Sequence, residues 1–204
     1  MQERFEEEYR SEGYKFIVGI DEVGRGSLFG DVVAGAVIMP EGQYIEGIKD
    51  SKKLSEKKRE KLYVEILDKA YAVGIGRVDA QTIDKINIKN ATHLAMKLAV
   101  ENLRNKDGDK VNPDLLLIDA ETIDMDINQV PIIKGDDKCY SISCASILAK
   151  VYRDRLCIKW AERYPDYGIE KHKGYGTKQH REAIKDYGAC EMHRVSFLKN
   201  KKDW

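Results

Sequence analysis

Two adjacent carboxylates, Asp21 and Glu22, follow directly on the apolar run Phe16-Ile17-Val18-Gly19-Ile20, and no other feature restricts the fold so tightly. The run has β-type composition and its bulk demands burial. A carboxylate at the exposed end of such a strand, or midway along it, carries a desolvation penalty that only a partner relieves. Two such groups side by side also repel one another. A divalent cation is the usual compensation. The Gly24-Arg25-Gly26 that follows allows close approach of backbone to a ligand, beside a fixed guanidinium fork. Carboxylates for a metal next to a donor-rich loop are the equipment of a phosphodiester-cutting site.

Four further short apolar runs punctuate the chain. Residues 32–39 predict a second strand, joined to the first through the turn-like segment 24–30 as an antiparallel hairpin. Residues 73–78 alternate as a third strand. Leu115-Leu116-Leu117-Ile118 is fully apolar, as buried strands are, and ends on Asp119; residues 130–133 form another such run, leading into Lys134-Gly135-Asp136. Helical patterns lie between. Ser55 is placed to cap a helix reaching about residue 70, with Leu62, Ile66 and Ala70 on one face. Asn87 is placed to cap another, striped by Ala91, Leu94, Ala95, Leu98 and Leu103 and stopped by Asn112-Pro113. Residues 141–162 read as a long helix with Ile142, Ala145, Leu148, Tyr152 and Leu156 inward, 168–177 as a loop, and 178–187 as a short last helix. Alternating strands and helices predict an α/β fold, its sheet made mixed by the leading hairpin. Without repeats, low-complexity segments or linkers, 1–204 is expected to be one domain, with about 165–204 a small C-terminal helical appendage.

Composition narrows the class. No apolar run approaches the ~20 residues needed to span a bilayer, and the acidic first dozen residues resemble no export signal, so a cytoplasmic location is expected. Cys139, Cys144, Cys157 and Cys190 match no zinc spacing and are expected to be reduced packing residues. The formal net charge of zero argues against simple adhesion to nucleic acid. Its distribution says more. Residues 49–61 carry seven Lys/Arg against three acids, 171–181 carry four Lys/Arg and no acid, and 107–126 carry seven acids against one lysine. Segregated patches suit a protein that grips phosphates with one surface and holds cations with another, although a basic run by itself also fits a solvated helix face.

Three strands thus deliver acid: Asp21 with Glu22, then Asp119, then Asp136. Neighbouring strand ends lie close in space, and like charges gathered there demand a counter-ion. Hard oxygen donors without a His or Cys pattern favour Mg²⁺ or Mn²⁺ over zinc. Two such ions ~3.5–4 Å apart suit an in-line phosphoryl displacement. Other residues read more plainly. Lys150, Arg153 and Arg155 are expected on a helix surface, Asp154 beside a structural arginine, and His93 in solvent. His172, His180 and His193 are expected to make hydrogen bonds or phosphate contacts rather than bind metal. A nucleotide-binding loop at 24–30 is excluded because no Gly-Lys-Ser/Thr closes it.

Seven strings, GIDEVGRGSLFG, DSKKLSEKKRE, LLLIDA, IIKGDDK, SILAKVYRDR, HKGYGTKQH and HRVSF, closely resemble those of type 2 ribonuclease H (ribonuclease HII) in order and spacing, over about residues 17–197. The resemblance implies an RNase H-like fold and an endonuclease that cuts the RNA strand of RNA–DNA hybrids and 5′ of single ribonucleotides in duplex DNA, leaving 3′-OH and 5′-phosphate ends. It implies that Asp21, Glu22, Asp119 and Asp136 are the metal-binding catalytic carboxylates. Gly24, Arg25 and Gly26 would recognise the ribonucleotide 2′-OH, Tyr175 would pack on the following sugar, and Ser51, Lys52 and Lys53 would contact backbone phosphates. Type 3 ribonuclease H shares the fold but lacks this Gly-Arg-Gly and carries an extra N-terminal domain, whereas only about 15 residues precede the first strand here. The rival from another class is a non-catalytic hybrid-binding module of the same fold, against which the presence of all four carboxylates speaks. A monomer is expected. The tail 199–204 ends in Trp204 but is too short and charged to read as a sliding-clamp motif. Ser27, Phe29 and Asp31 depart from common members, which often carry proline at the first and last of these positions and a small residue at the middle one. Asp31 is expected to weaken the recognition loop by adding an acid beside it. Asp137 and Cys139 likewise stand where smaller residues are common. These departures bear on rate and substrate preference rather than on reaction type.

Overall fold

The computed structural model describes residues 5–199. Helix α1 (Phe5–Ser11) precedes the hairpin of β1 (Ile17–Val23) and β2 (Val32–Ile38). Then come α2 (Glu56–Lys69), β3 (Ala72–Val78), α3 (Ala80–Glu101), β4 (Arg104–Asn105), β5 (Leu115–Asp119) and β6 (Asn128–Ile132). The C-terminal part is helical: α4 (Gly135–Lys138), α5 (Tyr140–Arg163), α6 (Ile169–His172) and α7 (Lys178–Tyr187). The strands form one sheet in the order β4-β3-β2-β1-β5-β6. β1 runs antiparallel to β2 and parallel to β5, so the sheet is mixed, as the alternating pattern predicts.

Both faces are covered. Val18, Ile20, Ala34 and Ala36 pack against Ala91, Ala95, Met96 and Leu103 of the α3 side, while Val37 meets Leu62 and Ile66 of α2 and Ala145 and Leu148 of α5. Burying one such aliphatic side chain contributes about 1.5–3 kcal/mol. Helices approach the strands closely because the strands carry glycine where they cross: a methyl at Gly35 would stand 2.7 Å from the Ala145 carbonyl oxygen.

Caps explain several helix boundaries. Ser55 accepts from the Lys58 N–H, as expected. Asn87 also caps, its Oδ1 accepting from Asn90 N–H at 3.0 Å, but it sits at a kink (φ 66°) inside α3. The helix begins earlier, where Asp79 accepts from Thr82 N–H at 2.7 Å. It ends at Glu101, long before the expected stop at Asn112-Pro113, because buried Leu103 leads into β4. The run 130–133 is no buried strand. β6 starts at Asn128 on the sheet edge, where Pro131 is tolerated, and leaves Ile133 outside and exposed. The expected loop 168–177 contains α6.

The C-terminal helices share a small core around Phe29, with Cys157, Tyr167, Ile169, Ile184 and Leu198. Phe29 is fully buried with its ring against Trp160, Tyr164 and His193, so its bulk ties the C-terminal segments to the β1–β2 connection. The tail beyond Lys199 lies outside the described residues. Among those described, no helix is long and apolar enough to cross a membrane.

Candidate active site

Register brings the acids together. β1 pairs with β5 through Ile20 and Ile118, so Asp21 and Asp119 are next in line on adjacent strands. Asp119 Oδ1 accepts the Gly135 N–H at 2.7 Å, which draws the start of α4, and with it Asp136, to the same strand end. Left-handed residues flank this junction, Ala120 (φ 52°) after Asp119 and Lys134 (φ 59°) before Gly135. Such strain, of order 1–3 kcal/mol per residue, persists where surrounding structure over-determines it.

The electrostatics link all four acids. Burial pushes the Asp21 carboxyl well up, the Glu22 charge adds to this, and Asp119 raises it further, while a hydrogen bond from Ser146 pulls it down. Glu22 is raised by burial, with Arg25 opposing and Asp119 reinforcing. Burial also raises Asp119, against the relief of the Gly135 N–H, and Asp136 raises it again. Each carboxylate meanwhile has a local donor. Glu22 N–H bonds Asp21 Oδ1 at 2.8 Å, Arg25 Nη1 stands 3.4 Å from Glu22 Oε1, and Lys52 Nζ donates to Asp136 Oδ2 at 3.1 Å. Asp21, Glu22 and Asp119 therefore feel one another's charge and Asp136 joins them through Asp119, yet among the described residues no three acids, histidines or cysteines are already gathered as a coordination shell. The donor chemistry fits a hard dication: oxygens only, partly desolvated and mutually repelling, a state that cation binding reverses.

The predicted recognition residues lie beside this cluster. Gly24 takes φ 89°, and a methyl there would collide with Arg153 Nε. A β-carbon on Gly26 would stand 3.9 Å from the Tyr175 ring. Ser27 pairs with Tyr175 in a single antiparallel bridge, and Leu28 N–H donates to the Gly174 carbonyl at 2.9 Å. Lys52 and Lys53 are exposed at the rim, Lys53 Nζ lying 2.7 Å from Asp137 Oδ1. Ser51 is different. It is buried, its hydroxyl 2.9 Å from that of Ser146, so it supports Asp21 from behind rather than facing solvent.

Ser51 thus corrects the expectation that it contacts backbone phosphate, and three more sequence expectations need correction. Arg153 is fully buried instead of lying on the helix surface. Its guanidinium reaches Asp31 O at 2.9 Å, Lys173 O at 2.9 Å, Ser27 Oγ at 2.9 Å and Phe29 O at 3.0 Å, fastening the Gly24–Gly30 loop to the Tyr175 loop. Its spacing after Ser146 and Ala149 on α5 places it on the buried stripe, a signal that its charge obscured. His93 is not solvated but bonds Glu121 Oε2 at 3.1 Å, and Glu121 Oε1 lies 3.4 Å from Arg25 Nη1. Asp31 adds no free charge to the loop, since Arg77 Nε holds its carboxylate at 2.6 Å. Asp154 meets Arg59 at 3.7 Å, as expected, and also Lys150 at 2.7 Å. Sequence reasoning missed Arg194, whose buried guanidinium bonds the Gly30 and Arg25 carbonyls at 2.9 Å each.

A mixed six-stranded sheet of this order, clothed by helices and carrying acid at the ends of its central strands, defines an RNase H-like α/β enzyme. The family model described as Ribonuclease HII matches residues 18–200. Ribonuclease HII of Alkaliphilus oremlandii is 60% identical over 186 residues, covering 91% of this chain and 92% of that one. That of Caldicellulosiruptor bescii is 55% identical over 196 residues, covering 96% and 92%. The crystal structure of the ribonuclease H2 from Pyrococcus horikoshii superposes with a TM-score of 0.74 at 26% identity, covering 93% of this chain and 96% of that one. The chain belongs to the ribonuclease HII family, and it is a ribonuclease H endonuclease dependent on divalent metal.

Proposed function

We propose that this enzyme cuts the RNA strand of RNA–DNA hybrids and incises duplex DNA on the 5′ side of single embedded ribonucleotides, leaving 3′-OH and 5′-phosphate ends. The observation that carries the reading is the charge-linked set Asp21, Glu22, Asp119 and Asp136 lying beside the Gly24–Gly26 and Tyr175 loops. Those four carboxylates would hold two Mg²⁺ or Mn²⁺ ions. Bound there, the ions would supply Lewis acidity for in-line displacement at phosphorus.

The chain's own residues do the rest. Gly26 lacks the β-carbon that would keep backbone from a ribose, and Gly24 lets the loop lie directly on buried Arg153, so peptide groups meet the 2′-OH, the mark that separates RNA from DNA. The half-exposed Tyr175 ring packs on the next sugar. Arg25 balances Glu22 and Glu121 while staying free at its outer edge to meet phosphate. Lys52 and Lys53 exchange Asp136 and Asp137 for backbone phosphates, positioning the duplex without reading its sequence. The enzyme acts as a monomer of one domain in the cytoplasm.

The test is incubation with Mg²⁺ or Mn²⁺ and a DNA duplex carrying one ribonucleotide, with the cut mapped. Cleavage 5′ of the ribonucleotide is expected, none with chelator, and none for Asp119→Asn although binding persists. Full activity in Asp119→Asn would overturn its metal role. Binding without any cut by the wild-type chain would favour a hybrid-binding module.

A further inference from the structure

The Tyr175 loop has a conformation it cannot hold alone. Lys173 (φ 53°) and Gly174 (φ 82°) are consecutive left-handed residues, and a run of this kind needs support from outside. Buried Arg153 and His180 and half-buried His172 supply it, one backbone group at a time. Arg153 donates to Lys173 O at 2.9 Å, His172 Nδ1 accepts from Gly174 N–H at 3.3 Å, and His180 Nδ1 lies 3.0 Å from Tyr175 O.

The partners of the histidines dictate their protons. A carbonyl only accepts, so His180 carries its hydrogen on Nδ1 and leaves Nε2 as a lone pair. The Cys190 backbone N–H lies 3.0 Å from His193 Nδ1 and only donates, so His193 carries its hydrogen on Nε2. The two Nε2 atoms face each other at 3.2 Å, with His193 donating to His180. The hydrogen bonds therefore run one way, from Cys190 N–H through His193 and His180 to the Tyr175 carbonyl. Both rings are buried, His172 stacks on His180 at 4.5 Å between centroids, and Phe29 packs edge-on against His193 at 4.9 Å.

We infer that His180 and His193 are positioning residues for substrate recognition, a directional pair whose hydrogen-bond chain holds Tyr175 against the Gly24–Gly26 loop. This rests on the proposed sugar contact of Tyr175. It also explains two buried histidines that touch no catalytic carboxylate. Burial pushes the His180 imidazole down to about 4, which keeps the chain in its neutral, directional form.

Two measurements on the intact chain test the inference. Imidazole ¹⁵N NMR at about pH 7 should report the Nδ1–H form for His180 and the Nε2–H form for His193; the reverse assignment overturns the chain. The second measurement uses variants that separate the two ring nitrogens. His180→Asn retains a donor near the Nδ1 position, whereas His180→Gln reaches toward His193 and releases Tyr175. The ratio of kcat/KM on one embedded ribonucleotide to that on a continuous RNA tract should fall about tenfold in His180→Gln and be largely restored in His180→Asn, as expected for a shifted recognition group. Equal loss in both variants, or loss of tract cutting to the same degree, overturns a positioning role. Tyr175→Ala run in parallel tests the underlying reading: an unchanged ratio there removes the sugar contact, whatever the NMR shows. If neither His180 variant folds, the wild-type tautomers alone decide.

Discussion

Asp21 shows at the scale of one residue how the proposed hydrolytic site is bought with stability. Its carboxylate is buried among apolar strand neighbours, with Glu22 and Asp119 adding repulsion, so the folded chain without cation strains to keep it charged. Because its folded value lies above the ordinary carboxylate range, the strain is greatest at neutral pH and is relieved as pH falls through that raised value. Asp21→Asn is therefore expected to raise the unfolding free energy in chelator by about 1 kcal/mol or more while abolishing cleavage, and to lose the stabilisation that Mg²⁺ or Mn²⁺ gives the wild type. Denaturant unfolding with and without metal checks this. His180 acts with the opposite sign. Its folded value of about 4 lies below the ordinary histidine value. The unfolded chain then takes up a proton that the buried ring refuses, so stability is whole above about pH 6.5 and falls by about 3 kcal/mol as pH drops toward 4. Unfolding curves at successive pH values should show this fall, and His180→Asn should flatten it.

At the scale of elements, the longest helix depends on the shortest terminal one. α5 begins at Tyr140 without a side-chain cap from its own preceding residue, Cys139. Glu6 of α1 supplies the missing acceptor, its Oε1 taking the Ser141 N–H at 2.7 Å and the Cys139 thiol at 3.3 Å. A negative charge at a helix N-terminus also matches the macrodipole. Glu6→Ala is expected to lower stability by about 1 kcal/mol, read from the denaturant midpoint at unchanged slope. Activity should fall further than this implies, because α4 and Asp136 directly precede the uncapped end. Local signals found many such boundaries but not partnerships like this one. Ser55 and Asn87 were readable as caps because a short polar side chain meets an amide three residues on. The first turns of α3 escaped notice because Ile83 and Ile86 are too few to mark a stripe, and the end of α3 depended on Leu103 being claimed by the core.

For the whole molecule, a net charge of zero conceals a division of labour. Lys52 and Lys53 hold acids at the site's rim and are exposed enough to exchange them for phosphates. Replacing both with alanine is expected to weaken duplex binding and reduce the slope of log affinity against log salt by about two, measured by titration at several ionic strengths. An unchanged slope would show that neither touches phosphate. The alternation of strand and helix and the mixed sheet were legible from residues 16 to 187, because periodicity and turn chemistry act over a few neighbours. The placement of Arg153, Arg194 and the histidine pair was not. A charge or an imidazole is buried only when acceptors and donors from remote segments converge on it, as Ser27, Phe29 and Lys173 do on Arg153. Local pattern thus settled which groups this protein can bring to its chemistry. Tertiary packing alone decided which of them meet, since contact between distant segments is a property of the closed chain and of no stretch within it.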